Sequence, residues 1–248
     1  MEALALQAAQ PLRLGYAAAV AMKPRDLTSA EAARRSIDRG LHDPSAFRAA
    51  LLGVPVAERD VWVDLVLGLD DLPLDGPALP AGGVPYLPCS VEILLRIVDE
   101  APVRSTDVFV DIGAGPGRAI TLVHLLTGAG AVGLEIQPEF VHAAHGLTGR
   151  LGLSRVQCIE GDAATIAAFM VVGSVFFLNC PFSGSRLAKV LDDLEPIART
   201  RQLRVCCVYL PLPTRSWLTR EPGRGGDLEI HRSAPSYCRP DRSPTCST

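Results

Sequence analysis

The stretch Val108-Phe-Val-Asp-Ile-Gly-Ala-Gly-Pro-Gly117 decides the fold. A short apolar run reads as a strand, an acid ends it, and a glycine turn leads into a helix beginning at Arg118. Glycine permits positive φ and lets a ligand approach the backbone closely. The helix that follows offers unpaired N–H groups and a partial positive charge at its start. Dinucleotide sites space their glycines as Gly-x-Gly-x-x-Gly to seat a pyrophosphate. Here the third glycine comes one residue early, and Asp111 stands directly before the turn. A carboxylate in that place repels a pyrophosphate and suits a cationic amino-acid moiety.

Outward from the turn the pattern repeats. Strand-like runs at 131–134, 156–159, 175–178 and 205–209 alternate with helix-like runs at 118–126, from Pro138, at 163–170 and at 185–198. Such alternation predicts crossover connections and a mostly parallel sheet with helices on both faces. The strands are short and continuously apolar, as strands buried on both faces should be. Leu228-Glu-Ile-His231 reads as a late strand paired near Trp217-Leu218. Upstream, Ser90 is the expected N-cap of a helix over 91–98.

Residues 1–70 read as a helical N-terminal region. Thr28-Ser-Ala-Glu31 has the spacing of a capping box with Gly40 as its stop, and Asp43-Pro44 opens a second helix that Gly53 ends. A third apolar stretch, 56–69, contains Trp62. Residues 71–85 are rich in Pro and Gly and form a linker or a lid. The main domain is expected over 86–234, followed by a polar, Pro-rich tail over 235–248.

A net charge of −3 lacks the basic footprint of a nucleic-acid binder, so nucleic acid is a disfavoured partner. Of the seven cysteines no two form a Cys-x-x-Cys pair, and His142 and His145 lack a carboxylate at ligand spacing, so no metal site is expected. The longest apolar run, 166–178, is shorter than the roughly 20 residues of a membrane span, and the N-terminus lacks the charge pattern of a signal peptide. The expectation is a cytoplasmic protein with no membrane partner.

Further acids fall at the following strand ends. Glu135, with Ile136 beside it, comes 18 residues after Gly117, close to the roughly 20 usual for a ribose-binding acid. Asp162, in Gly161-Asp-Ala163, follows the third strand and is placed to accept from an adenine amino group. Asn179-Cys-Pro-Phe182 closes the fourth strand. Ligands of open α/β sheets bind along that edge.

With Asp111-x-Gly113-x-Gly115-x-Gly117, Glu135, Gly161-Asp162-Ala163 and Asn179-Cys-Pro-Phe182 in view, residues 86–233 resemble the class I S-adenosylmethionine-dependent methyltransferases. Phe109-Val-Asp-Ile-Gly together with Asn179-x-x-Phe182 looks most like the histone-lysine methyltransferases of the disruptor-of-telomeric-silencing type and their bacterial relatives. The resemblance implies a Rossmann-like sheet of seven strands with the last antiparallel, and S-adenosyl-L-methionine as cofactor. It implies cofactor contacts from Asp111, Gly113, Gly115, Gly117, Glu135, Ile136, Asp162, Ala163 and Asn179. A tyrosine ahead of the core touches the cofactor in that family; Tyr86 is either that residue or a linker anchor packed on the core. Asn179-Cys-Pro-Phe182 also resembles the Asn-Pro-Pro-aromatic signature of amino-group methyltransferases, with Cys180 in place of the first proline. Asn179 is then a positioning acceptor and Phe182 an aromatic wall for a developing cation. No lysine-rich nucleosome-binding segment accompanies the motifs. The acceptor is left open as an amine, including a protein lysine, or a small molecule beneath a helical lid. A non-catalytic cofactor-binding scaffold is the third alternative.

Overall fold

The computed structural model describes residues 22–69, 72–76, 79–80 and 82–234. The expected tail over 235–248 and the first 21 residues lie outside them. The N-terminal helices are α1 (Pro24–Asp38), α2 (Pro44–Leu52) and α3 (Arg59–Leu67). Asp43 caps α2 as expected, its carboxylate accepting from the Ala46 N–H at 2.7 Å. The capping box at Thr28 is not formed. Pro24 opens α1 a turn earlier, and the Thr28 hydroxyl instead donates to the Pro24 carbonyl at 2.9 Å. Proline at the first helical position starts a helix by its fixed φ, without a side-chain cap.

The main sheet follows α4 (Val91–Glu100). It contains β1 (Val108–Ile112), β2 (Gly130–Glu135), β3 (Val156–Glu160), β4 (Val175–Asn179), β5 (Arg204–Val208), β6 (Leu218–Arg220) and β7 (Leu228–Ser233). The order across the sheet is β3-β2-β1-β4-β5-β7-β6. β1 to β5 pair in parallel, and β7 runs antiparallel to both neighbours. The crossovers carry α5 (Arg118–Thr127), α6 (Pro138–Arg150), the short α7 (Ala163–Ile166) and α8 (Gly184–Thr200). This is the expected seven-stranded Rossmann-like architecture. No helix among the described residues is long and apolar enough to cross a membrane.

Alternate residues along each strand enter different cores. Phe109, Phe177 and Cys206 pack on the side that carries α4 and α5; Val110, Phe176 and Leu178 pack against α8. The N-terminal helices are built into the first of these cores. Phe47, Leu51, Trp62, Val63 and Val66 are buried there together with Leu122 and Leu125 of α5. They form a further layer over one face of the sheet.

The glycine turn docks on β2 because that strand is bare at Gly133. A Cβ there would lie 2.5 Å from the Ala114 Cβ and 3.1 Å from Ile120 Cδ1. Gly133→Ala is therefore expected to push the turn off the sheet and lower stability by about 1–3 kcal/mol, the usual cost of overpacking. Chemical denaturation of the two proteins measures it.

Candidate active site

The described segments within 72–90 run across the ends of β1, β2 and β4 and are tied down at each crossing. Gln137, after β2, accepts from the Gly76 N–H at 2.7 Å and donates to Asp75 at 2.9 Å; Asp75 in turn accepts from the Tyr86 N–H at 2.9 Å. After β4, the Pro181 carbonyl accepts from the Val84 N–H at 3.1 Å, and Gly83 bridges to Phe182. Asn179 Nδ2 donates to the Leu87 carbonyl at 2.8 Å, which leaves Asn179 Oδ1 to accept from something else. This segment is a strap. Between it and the sheet edge lies a recess of about 70 Å³, open to solvent, with Gly113, Glu135, Ile136, Ala163, Asn179 and Phe182 in its walls.

A smaller inner pocket of about 20 Å³ shares Tyr86, Leu87, Gly113 and Asn179 with the recess and adds Asp111, Cys89 and Arg118. Asp111 is buried, and its Oδ1 has no hydrogen-bond partner. The Tyr86 hydroxyl is likewise buried and unpartnered. Two orphaned polar atoms lining one pocket are costly unless a ligand answers them. Burial, and secondarily the charge of Glu135, hold the Asp111 carboxyl well above the ordinary range. Burial raises Glu135 too, partly offset by hydrogen bonds from backbone N–H groups.

The turn is more tightly packed than its glycines suggest. Gly115, at φ 53°, makes room for the Tyr86 ring, since a Cβ there would lie 2.3 Å from that ring. At Gly113 a Cβ would lie 2.7 Å from the Pro181 Cβ. The expected free N–H groups are mostly taken: Gly115 N–H donates to Glu135 at 2.7 Å, Gly113 and Ala114 N–H to the Leu134 carbonyl, and Gly117 N–H to the Ala114 carbonyl. Of the two roles left open by the sequence, the structure shows that of the anchor. Tyr86 anchors the strap on the core, 5.2 Å from the Phe140 ring, and it turns its hydroxyl toward the inner pocket.

Asp162 departs from expectation. It caps α7 and pairs through both oxygens with Arg186, at 2.6 and 3.0 Å, so it does not face the recess freely. Arg186 itself lines the recess and lies 5.2 Å over the Phe182 ring. Gly113, Glu135, Ile136, Ala163, Asn179 and Phe182 are brought together around the recess; Asp111 and Gly115 belong to the inner pocket and its roof; Gly117 packs against Ala144.

No local signal marks Arg118, because its acidic partners lie more than fifty residues upstream. It is buried and donates to Asp64 at 2.6 Å, to Asp60 at 2.9 Å and to the Cys89 carbonyl at 2.6 Å. The first residue of α5 thereby joins the turn to α3 and to the strap. Among the described residues, Cys207, Glu229 and His231 form a group with ligating atoms within 4.8 Å of one another. Arg220 already pairs with that Glu229 at 3.1 Å, and the group lies on β5 and β7, outside the residues that line either cavity.

No family model matches the chain. A protein-lysine N-methyltransferase of Saccharolobus islandicus (strain REY15A) is 31% identical over 101 residues, which span 37% of this chain and 63% of that protein. The match therefore covers less than two thirds of that relative's length. Among solved structures, the putative methyltransferase yhhF from Escherichia coli superposes with a TM-score of 0.50 at 17% identity, covering 65% of this chain and 91% of its own. An RNA methyltransferase from Salinibacter ruber, solved with S-adenosyl-L-homocysteine, gives a TM-score of 0.47 at 24% identity over 59% of this chain and 92% of its own. The Escherichia coli structure shares its fold with this chain.

Two outcomes follow from the packing and the charges. Gly115→Ala should destabilise by about 1–3 kcal/mol through the clash with Tyr86, and Tyr86→Ala should recover part of that loss, a coupling that a double-mutant cycle reads directly. The folded state raises the Asp111 pKa and so binds its proton more tightly than the unfolded chain does. Its contribution is present below the ordinary carboxylate range and is lost as pH rises through the raised value. Asp111→Asn should therefore be more stable than the parent at alkaline pH, with the difference vanishing in acid; thermal melts across pH test it.

Proposed function

We propose that the chain is an S-adenosylmethionine-dependent methyltransferase acting on an amine, foremost a protein lysine. One observation carries the cofactor reading. A buried carboxylate, Asp111, stands unpaired in a pocket beneath a glycine turn, beside an unpaired tyrosine hydroxyl. The α-ammonium group of the cofactor's methionyl end is a donor of the right sign for Asp111. Glu135 spends one lone pair of each oxygen on backbone N–H groups and keeps others for ribose hydroxyls. Ile136 and Ala163 line the recess as apolar surface for adenine, and Arg186 must release part of Asp162 for that acid to meet the adenine amino group.

When bound, the cofactor supplies a methyl group already activated by its sulfonium. The chain's own task is alignment, exclusion of water and a deprotonated nucleophile. Asn179 Oδ1, fixed by the Nδ2 bond to Leu87, accepts from the amine, and Phe182 walls the site. Burial beneath the strap favours the neutral amine over the ammonium, so no separate base is required. The 31% identity to a protein-lysine methyltransferase supports a lysine acceptor. The strap across the recess favours the alternative of a small-molecule acceptor, and the close packing of the turn glycines favours a scaffold.

Calorimetry with S-adenosylmethionine and S-adenosylhomocysteine decides the first step. Both are expected to bind, and Asp111→Ala to abolish binding of both. Because a cationic ligand favours the ionised Asp111, binding should release a proton. Affinity should then rise by at most about tenfold per pH unit below the Asp111 pKa and level off above it. Absence of binding by either ligand would leave the scaffold without its cofactor and remove the methyltransferase reading. Labelled cofactor in fractionated extract then separates the acceptors: label in protein supports lysine, and label in metabolites supports the small-molecule alternative.

A further inference from the structure

Two described residues other than glycine hold positive φ, Cys180 at 50° and Tyr209 at 52°. Each is the first residue past a strand, β4 for Cys180 and β5 for Tyr209, and the two strands are neighbours with Asn179 opposite Val208. Left-handed backbone disfavours any side chain except glycine's, and a bulky ring is among the worst choices. Such strain is retained where the surrounding structure over-determines it, and it clusters at sites of function. Cys180 is in the recess wall.

Burial does not account for Tyr209, whose side of the sheet edge is open: the residue is 50% exposed. Its N–H donates to the Asp227 carbonyl at 3.1 Å, which holds the two residues side by side at the sheet edge. Asp227 is exposed and immediately precedes β7, where Leu228 pairs with Val208. An aromatic face and a carboxylate are therefore held together, in water, one step along the sheet edge from Asn179.

We propose that Tyr209 and Asp227 form the acceptor-side entrance, selecting an alkylammonium side chain and delivering it to Asn179. The ring face attracts the cation, the carboxylate neutralises it, and neither group suits a phosphate or a carboxylate substrate. This inference rests on the methyltransferase reading and narrows its substrate to a lysine-like amine.

The test uses the full chain, labelled S-adenosylmethionine, and poly-L-lysine, poly-L-glutamate and transfer RNA as acceptors. Poly-L-lysine is expected to be methylated and the other two not. Tyr209→Gly relieves the strained backbone, so the variant should fold at least as well as the parent by thermal melting. It should raise KM for poly-L-lysine roughly two- to fivefold, the range of an exposed cation–π contact, with kcat and S-adenosylhomocysteine affinity unchanged. Asp227→Asn should raise the same KM, more steeply at low salt than at high salt. Tyr209→Phe, which keeps the ring, should lie between parent and Tyr209→Gly. An unchanged KM in Tyr209→Gly overturns the proposal. So does an enzyme that binds S-adenosylhomocysteine yet methylates only transfer RNA, or leaves poly-L-lysine untouched. Failure of the parent to bind S-adenosylhomocysteine refutes the methyltransferase reading itself, and the entrance with it.

Discussion

Arg118 holds three donors against three partners from upstream chain, two carboxylates of α3 and the carbonyl of Cys89. Its own burial works against its charge, and Asp64 and Asp60 more than restore it. Only the guanidinium is buried; the Asp60 and Asp64 side chains keep contact with water, so the pairs' worth is discounted by solvent screening. The position of this guanidinium matters more than its energy. It follows Gly117 directly, so whatever orders Arg118 also orders the start of α5 and the turn that feeds it. The N-terminal helices, the strap and the glycine turn are therefore set relative to one another by one side chain.

The turn so held combines two demands that pull against each other. Its backbone hydrogen bonds are nearly all satisfied inside the protein, and its glycines are filled by Tyr86 and Pro181. That packing makes a rigid wall. Behind it, Asp111 is pushed toward its neutral form by burial and then by the charge of Glu135, and Glu135 by its own burial. The result is a rigid site that is electrostatically dissatisfied when empty, which is the preorganisation a cationic ligand needs.

Much of this was legible in the sequence, where the signals are local. The Asp43 and Ser90 caps, Gly128 after α5, and the five parallel strands all follow from residues within a turn or a strand of one another. Thr28 misled because two start signals competed four residues apart and the proline prevailed. The ion pair of Asp162 was not legible, because a strand-end acid shows nothing of Arg186, which arrives from α8 24 residues later. Tyr86 over Gly115, Arg118 with Asp60, and Tyr209 with Asp227 are pairings of distant chain segments, and no periodicity or short motif encodes them. The site's positions could be read from strand ends; its contacts depended on the tertiary packing.

The N-terminal helices share their apolar interior with α5 and lend two acids to the guanidinium beside the turn. They are therefore no modular appendage. A chimera carrying a relative's N-terminal segment would have to match the outline of Trp62 and the negative charge opposite Arg118 together. A substitution in the helices' apolar face would have to be matched in α5, and one at either acid in the guanidinium it faces.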